Sequence, residues 1–134
     1  MNIATILPTP LLGDVETSSY HLCLAHLVLE FPEYRRYYRT RAQVGDFIIL
    51  DNSAHEFRVG EEAEILSIVT RLLSPSEIVL PDVLFDAQKT VEHSNLAAPV
   101  LRDLGLPLMV VPQGETFEEW KWCLEELLEL SPDT

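Results

Sequence analysis

The sequence predicts an α/β protein of four βα units with parallel strands, and three observations carry that prediction. First, three aliphatic runs each end abruptly in a polar side chain: Ile48-Ile49-Leu50 in Asp51, Ile78-Val79-Leu80-Pro81 in Asp82, and Met109-Val110-Val111-Pro112 in Gln113. Second, the runs are continuous rather than alternating, which suits parallel strands buried on both faces. Third, Asp51, Asp82 and Gln113 are 31 positions apart in each case, and a period of about 30 residues accommodates a strand, a loop and a returning helix. Residues at the carboxyl ends of neighbouring parallel strands line the rim where α/β proteins build their sites.

The elements follow in order. Ile3 to Leu7 reads as the first strand, followed by a loop containing Pro8, Pro10 and Gly13, with Ser18 or Ser19 as a helix cap. Tyr20 to Leu29 is mostly apolar and is expected to be helical; Phe31-Pro32 interrupts it, and Pro32 suits the first turn of a second helix through about Thr40. Gly45-Asp46 turns the chain into the strand Phe47 to Leu50. In the next helix Glu61 and Glu62 favour the positive amino end, and Ile65, Ile68, Val69, Leu72 and Leu73 form one apolar face until Ser74-Pro75. Ile78 to Leu80 is the third strand. A helix from about Asp86 to Leu104 follows, closed by Gly105, with Pro99 expected to kink or divide it. Leu108 to Val111 is the fourth strand. Thr116 and Glu119 then make a capping box for a helix whose Trp120, Cys123, Leu124, Leu127 and Leu128 share a face.

Composition narrows the class. A chain of 134 residues with 47% hydrophobic and 23% charged residues is expected to form one soluble domain over residues 1–134. It has no apolar run approaching the ~20 residues of a membrane span, and Met1-Asn2-Ile3-Ala4 lacks the basic stretch and apolar core of a secretory signal, so the cytoplasm is the expected compartment. Cys23 and Cys123 match no metal-ligand spacing and read as reduced core thiols within helical patterns. The formal charge of −13 disfavours broad nucleic-acid affinity. One local exception is Arg35, Arg36, Arg39 and Arg41, interleaved with Tyr34, Tyr37 and Tyr38. That segment suits phosphate contact and base stacking, or else an amphipathic helix with the Tyr rings packed inward and the Arg heads in water.

Four units leave the architecture open between two solutions. With helices on one side only, four parallel strands would expose two edges and a broad apolar face. Either the chain is a small doubly wound sheet covered on both faces, or it is half of a (β/α)₈ barrel that a partner, an identical chain or a missing second half completes.

The densest polar cluster is Asp51-Asn52-Ser53-Ala54-His55-Glu56. A carboxylate there can serve as general base, orient a substrate amine, or cap the following turn with its Asn and Ser neighbours. His55 and Glu56 suit an acid/base pair in composition, but adjacent residues of an extended chain point apart. Asp82 is expected to face the site, and Asp86 to sit in the first helical turn and favour its dipole. Gln113 offers a donor and an acceptor for the edge of a planar heterocycle; Gly114 either admits a ligand close to the backbone or simply makes the turn. His21, His26 and His93 lie in stretches read as helical and are expected to be surface or packing residues. Trp120 and Trp122 cannot share a helical face, so one is expected in the core and the other at the rim. The sequence has no glycine-rich phosphate loop, metal-binding Cys/His cluster or G-x-S-x-G elbow, so neither a metal nor a cofactor is expected.

Taken together, the three strand ends resemble the tRNA-guanine transglycosylase family, including its phage and bacterial relatives that insert 7-deazaguanine bases into DNA. Phe47-Ile48-Ile49-Leu50-Asp51-Asn52-Ser53-Ala54 is similar to the family strand ending in Asp-Ser-Gly-Gly, Glu77 to Asp82 to the next strand, and Val110 to Glu118 to the Gln-Gly-Ser-x-Phe-Glu segment. The resemblance implies that Asp51 contacts the reacting base and has a catalytic role. It further implies that Asn52, Ser53, Asp82, Gln113 and Gly114 contact the base and that the ligand is a purine or 7-deazaguanine base; the Arg/Tyr segment, which precedes the resembling stretch, offers Arg35, Arg36 and Arg39 for contact with DNA or tRNA. Two departures stand out. Ser53-Ala54 replaces Gly-Gly, and the family's nucleophilic Asp and zinc site lie on later segments than this chain reaches. Activity is therefore expected to need a partner or self-association; the alternative is a noncatalytic base-binding or regulatory protein that keeps the half-site. An unrelated doubly wound domain with coincidental strand ends is the third reading.

Overall fold

The apolar runs between residues 47 and 111 become parallel strands in a computed structural model, which describes residues 3–13, 19–54, 56–58 and 60–133. The expected cap Ser18 and the His55 of the polar cluster lie outside the described residues. Four strands, β1 (Tyr20–Leu24), β2 (Phe47–Asp51), β3 (Glu77–Val79) and β4 (Leu108–Met109), form one sheet in the order β1-β2-β3-β4, every pair parallel. Consecutive strands are neighbours throughout. The order lacks the reversal that defines a doubly wound sheet.

Among the described residues five α-helices connect and follow the strands: α1 (Ala25–Glu30) and α2 (Pro32–Gln43) after β1, α3 (Glu62–Leu73) after β2, α4 (Ala87–Arg102) after β3, and α5 (Phe117–Leu128) after β4. Their apolar stripes pack on one face of the sheet. Cys23, Ile48, Leu50, Ile78 and Leu108 supply the sheet side of that core, and Val28, Tyr34, Tyr38, Leu66, Val69, Leu73, Ala98 and Leu101 the helical side. Because side chains alternate along a strand, Tyr20, Leu22, Ile49, Val79 and Met109 fall on the reverse face. Ile49 and Val79 are buried yet belong to neither hydrophobic cluster. No described helix covers that face.

Most elements lie within a residue or two of expectation; the first thirty residues do not. Ile3 to Leu7 forms no regular strand. Thr5 makes a single parallel bridge, its N–H donating to Tyr20 O and its carbonyl accepting from Leu22 N, each at 3.1 Å. Tyr20–Leu24, expected as helix, is a strand with alternating burial. The error has a physical source. Both faces of the strand carry apolar residues, and a short run without hydrophobic alternation cannot be distinguished from a buried helix. His21 and Cys23 therefore sit in a strand, and only the short α1 remains of the expected helix.

Smaller corrections concern α4 and α5. Asp86 is the N-cap of α4 rather than a first-turn residue, its carboxylate accepting from Lys89 N at 3.0 Å. Pro99 lies in the last turn of a continuous α4, where it removes the i→i−4 donor to the Asn95 carbonyl without dividing the helix. Trp120 and Trp122 are both partly exposed, at 38% and 40%, because Cys123 and Leu127 form the buried line of α5. The Thr116–Glu119 capping box is present.

Each outer sheet edge is tied by a terminal segment. Beside Thr5 at β1, Asp133 closes the β4 edge, its N–H donating to Leu108 O at 3.0 Å and its carboxylate accepting from Leu108 N at 3.1 Å. Among the described residues no helix is long and apolar enough to cross a membrane.

Candidate functional site

The carboxyl ends of β2, β3 and β4 meet through side-chain hydrogen bonds that join all three. Asn52, only 2% exposed, donates from Nδ2 to Leu80 O and to Asp82 Oδ1, each at 2.7 Å, while its Oδ1 accepts from Ala54 N at 2.7 Å. Gln113 Nε2 donates to the other Asp82 oxygen at 2.5 Å, and Gln113 Oε1 accepts from Phe85 N at 3.3 Å. Asp82 thus receives one neighbour on each oxygen. A carboxylate has about four lone-pair sites, so acceptor capacity remains for a ligand.

The following helices hold these strand ends in place. Ser94 of α4 donates to Pro81 O at 2.8 Å, and Thr90 both accepts from Val83 N at 2.8 Å and donates to Val83 O at 3.2 Å. Both chain neighbours of Asp82 are therefore pinned. Gln113 N donates to the buried Cys123 Sγ of α5 at 3.4 Å, and burial pushes that thiol's pKa up.

Asp51 shares a cavity of about 290 Å³ with Leu24, His26, Asn52, Ser53, Ala54, Glu56 and Asp82. Burial raises its pKa above the usual carboxylate range, and the Asp82 charge adds to that, while the Ser53 N–H at 3.0 Å and nearby His26 pull the other way. A carboxyl whose pKa is raised beside an ionisable neighbour is a recurring acid/base arrangement. Ser53 adopts φ +53°, a left-handed conformation that glycine enters freely.

The other expected site residues are placed as follows. Gln113 reaches the cavity through Asp82 without lining it. Gly114 has a packing reason to be glycine, since a Cβ there would stand 2.5 Å from Trp120 N at the start of α5. Arg35, Arg36 and Arg39 lie on α2 and none lines the cavity; Arg36 and Arg39 are exposed, while Arg35 donates to Val28 O at 3.4 Å. Tyr34 and Tyr38 of the same helix are fully buried, as the amphipathic-helix reading expects.

Of the three histidines expected as helical surface or packing residues, His93 is placed as expected, while His21 and His26 differ. His21 is fully buried in β1, with Nε2 2.9 Å from Asp46 Oδ2. His93 of α4 is buried against Glu62 of α3, Nδ1 to Oε1 at 3.0 Å. His26 lines the cavity, a role that depends on the Leu24↔Asp51 register placing the segments after β1 and β2 side by side. No family model matches the chain, and no curated protein or solved structure does so either.

Proposed function

We propose that this chain is the base-recognising half of a transglycosylase-like protein, holding a purine or 7-deazaguanine base at the carboxyl ends of β2 and β3. The observation that carries this reading is the Asn52–Asp82–Gln113 hydrogen-bonded chain, which brings three consecutive strand ends together beside a cavity containing Asp51. Three acidic residues, Asp51, Glu56 and Asp82, line one hollow and suit a heterocycle edge rich in N–H donors. The positive φ of Ser53 adds support, since it falls where the resembling motif has glycine.

In base exchange a nucleophilic carboxylate attacks the anomeric carbon as its bond to the old base breaks, and the incoming base then displaces the carboxylate. The departing base needs a proton. Asp51, with its raised pKa, is suited to deliver it and to take one back from the incoming base. The nucleophile is assigned to a second half of a (β/α)₈ barrel, and the sequential parallel order with helices on one face supports that assignment. Parallel sheets almost always have both faces covered, so the apolar reverse face fits an incomplete barrel. Exposed Arg36 and Arg39 would meet nucleic-acid phosphates.

The test is calorimetric titration with guanine and 7-deazaguanine bases, followed by exchange of labelled base into guanine-containing DNA and tRNA, with and without a candidate second half. Binding that Asp51→Asn and Asp82→Asn abolish supports the reading. Failure to bind either base overturns it, and binding without exchange under every pairing leaves the noncatalytic alternative.

A further inference from the structure

The cavity contains a histidine that strand-end patterning does not mark. The His26 backbone N–H donates to Ser53 Oγ at 3.3 Å, and its ring Nδ1 lies 2.9 Å from the same oxygen. Ser53 in turn donates its N–H to Asp51 Oδ2 at 3.0 Å. A short hydrogen-bonded path therefore joins the β1–α1 junction to the candidate acid/base.

Ser53 is 7% exposed and holds φ +53°, where a residue with a Cβ is unfavourable. Such conformations persist where their surroundings over-determine them. Two contacts from a single residue converge on the Ser53 hydroxyl and supply that constraint.

We propose that His26 is a positioning residue for Asp51, acting through Ser53 to hold the carboxyl in its binding geometry. The consequence for ligand affinity rests on the base-binding reading above; the coupling to Asp51 does not. The ring also sets the direction of the Ser53 hydroxyl. With the ring proton on Nε2, Nδ1 accepts the Ser53 O–H. Among the described residues, the titratable groups sharing the cavity with His26 are Asp51, Asp82 and Glu56, and Glu30 lies one turn further along α1.

The experiment follows the Asp51 carboxyl by ¹³C NMR titration in ligand-free protein, for the parent, His26→Ala, His26→Asn and Ser53→Gly. His26→Ala is expected to move the Asp51 pKa further upward and to weaken 7-deazaguanine binding about tenfold, the net worth of roughly one hydrogen bond. His26→Asn, whose amide reaches the same oxygen, is expected to restore affinity and to return the Asp51 titration part of the way to the parent's. An Asp51 titration unchanged in a folded His26→Ala overturns the proposal. If that variant does not fold, Ser53→Gly keeps the backbone conformation and removes the hydroxyl, and an unchanged titration there overturns it equally. A shifted titration in a protein that binds no base leaves the positioning role intact and removes the base-binding reading.

Discussion

Two aspartates flank β2, and their surroundings give them opposite characters. Asp46, before the strand, is met by His21 Nε2 at 2.9 Å and by the Arg41 guanidinium. Burial there opposes its charge, but the hydrogen bonds from His21 and Arg41 outweigh it and hold the carboxyl below its usual range. Asp51, at the far end of the same strand, is raised by burial and has Asp82 for a neighbour. The amino end of the sheet pairs its charges; the carboxyl end sets carboxylates side by side. A paired aspartate stabilises the fold, whereas a raised one is available to exchange a proton.

The comparison can be broken by substitution. Asp46→Ala strands the fully buried His21 and is expected to cost about 3 kcal/mol in denaturant unfolding, near the lower end for a broken buried pair because Arg41 is partly exposed. Asp51→Asn, which removes a carboxyl whose ionisation burial opposes, is expected to leave stability at neutral pH at or somewhat above the parent's while abolishing base binding. Equal destabilisation by the two variants would erase the distinction.

Next in size is Asn52→Ala, which removes the buried amide that reaches Leu80 O and Asp82. A loss of about 2 kcal/mol is expected, from the Leu80 carbonyl left without that donor. Base affinity should fall as well, since Asp82 and Asp51 then lose their common link. Calorimetric unfolding and titration on the same sample check both.

The pH dependence sharpens the contrast because the two aspartates carry opposite signs. With its folded pKa lowered, Asp46 contributes stability that is present above the unfolded value of about 3.9 and lost as pH falls through the folded value. With its folded pKa raised, Asp51 binds its proton more tightly when folded. That contribution is complete below about 3.9 and is lost as pH rises through the folded value. Stability curves from pH 2 to 7 should therefore converge with the parent at low pH for Asp46→Asn, and show their greatest gain above the Asp51 transition for Asp51→Asn.

The smallest effect is expected from Ser53→Gly. Release of a left-handed conformation is worth about 1–2 kcal/mol, and loss of the two hydroxyl contacts with His26 removes a similar amount, so the melting temperature should barely move.

The sequence revealed much of the carboxyl rim because each strand from β2 to β4 is a compact apolar run ended by one polar residue, and Thr116 with Glu119 marked α5 unambiguously. It did not reveal β1. Tyr20–Leu24 has apolar side chains directed to both faces, and a buried histidine on the helix-facing side removed the expected contrast. That misreading also hid His26. Its place beside Ser53 depends on strand register across 27 positions of sequence, and once Leu24 is known to pair with Asp51 the adjacency follows. The aspartate at the opposite end was hidden for a similar reason, since Gly45-Asp46 reads simply as a turn until His21 is known to face it.

The sequential strand order has a consequence for local unfolding. Each βα unit leans mainly on the units before and after it, so the molecule opens like a short stack whose outermost layers have a single neighbour. Amide exchange should be slowest in β2 and β3 and quicken toward Thr5 on one side and β4 on the other. Asp51 and Asp82 then stand on the slowest-opening layers, and Gln113 on one that departs earlier. A ligand bridging all three would tie the outer layer to the centre, and slower exchange at Leu108 and Met109 would report its arrival.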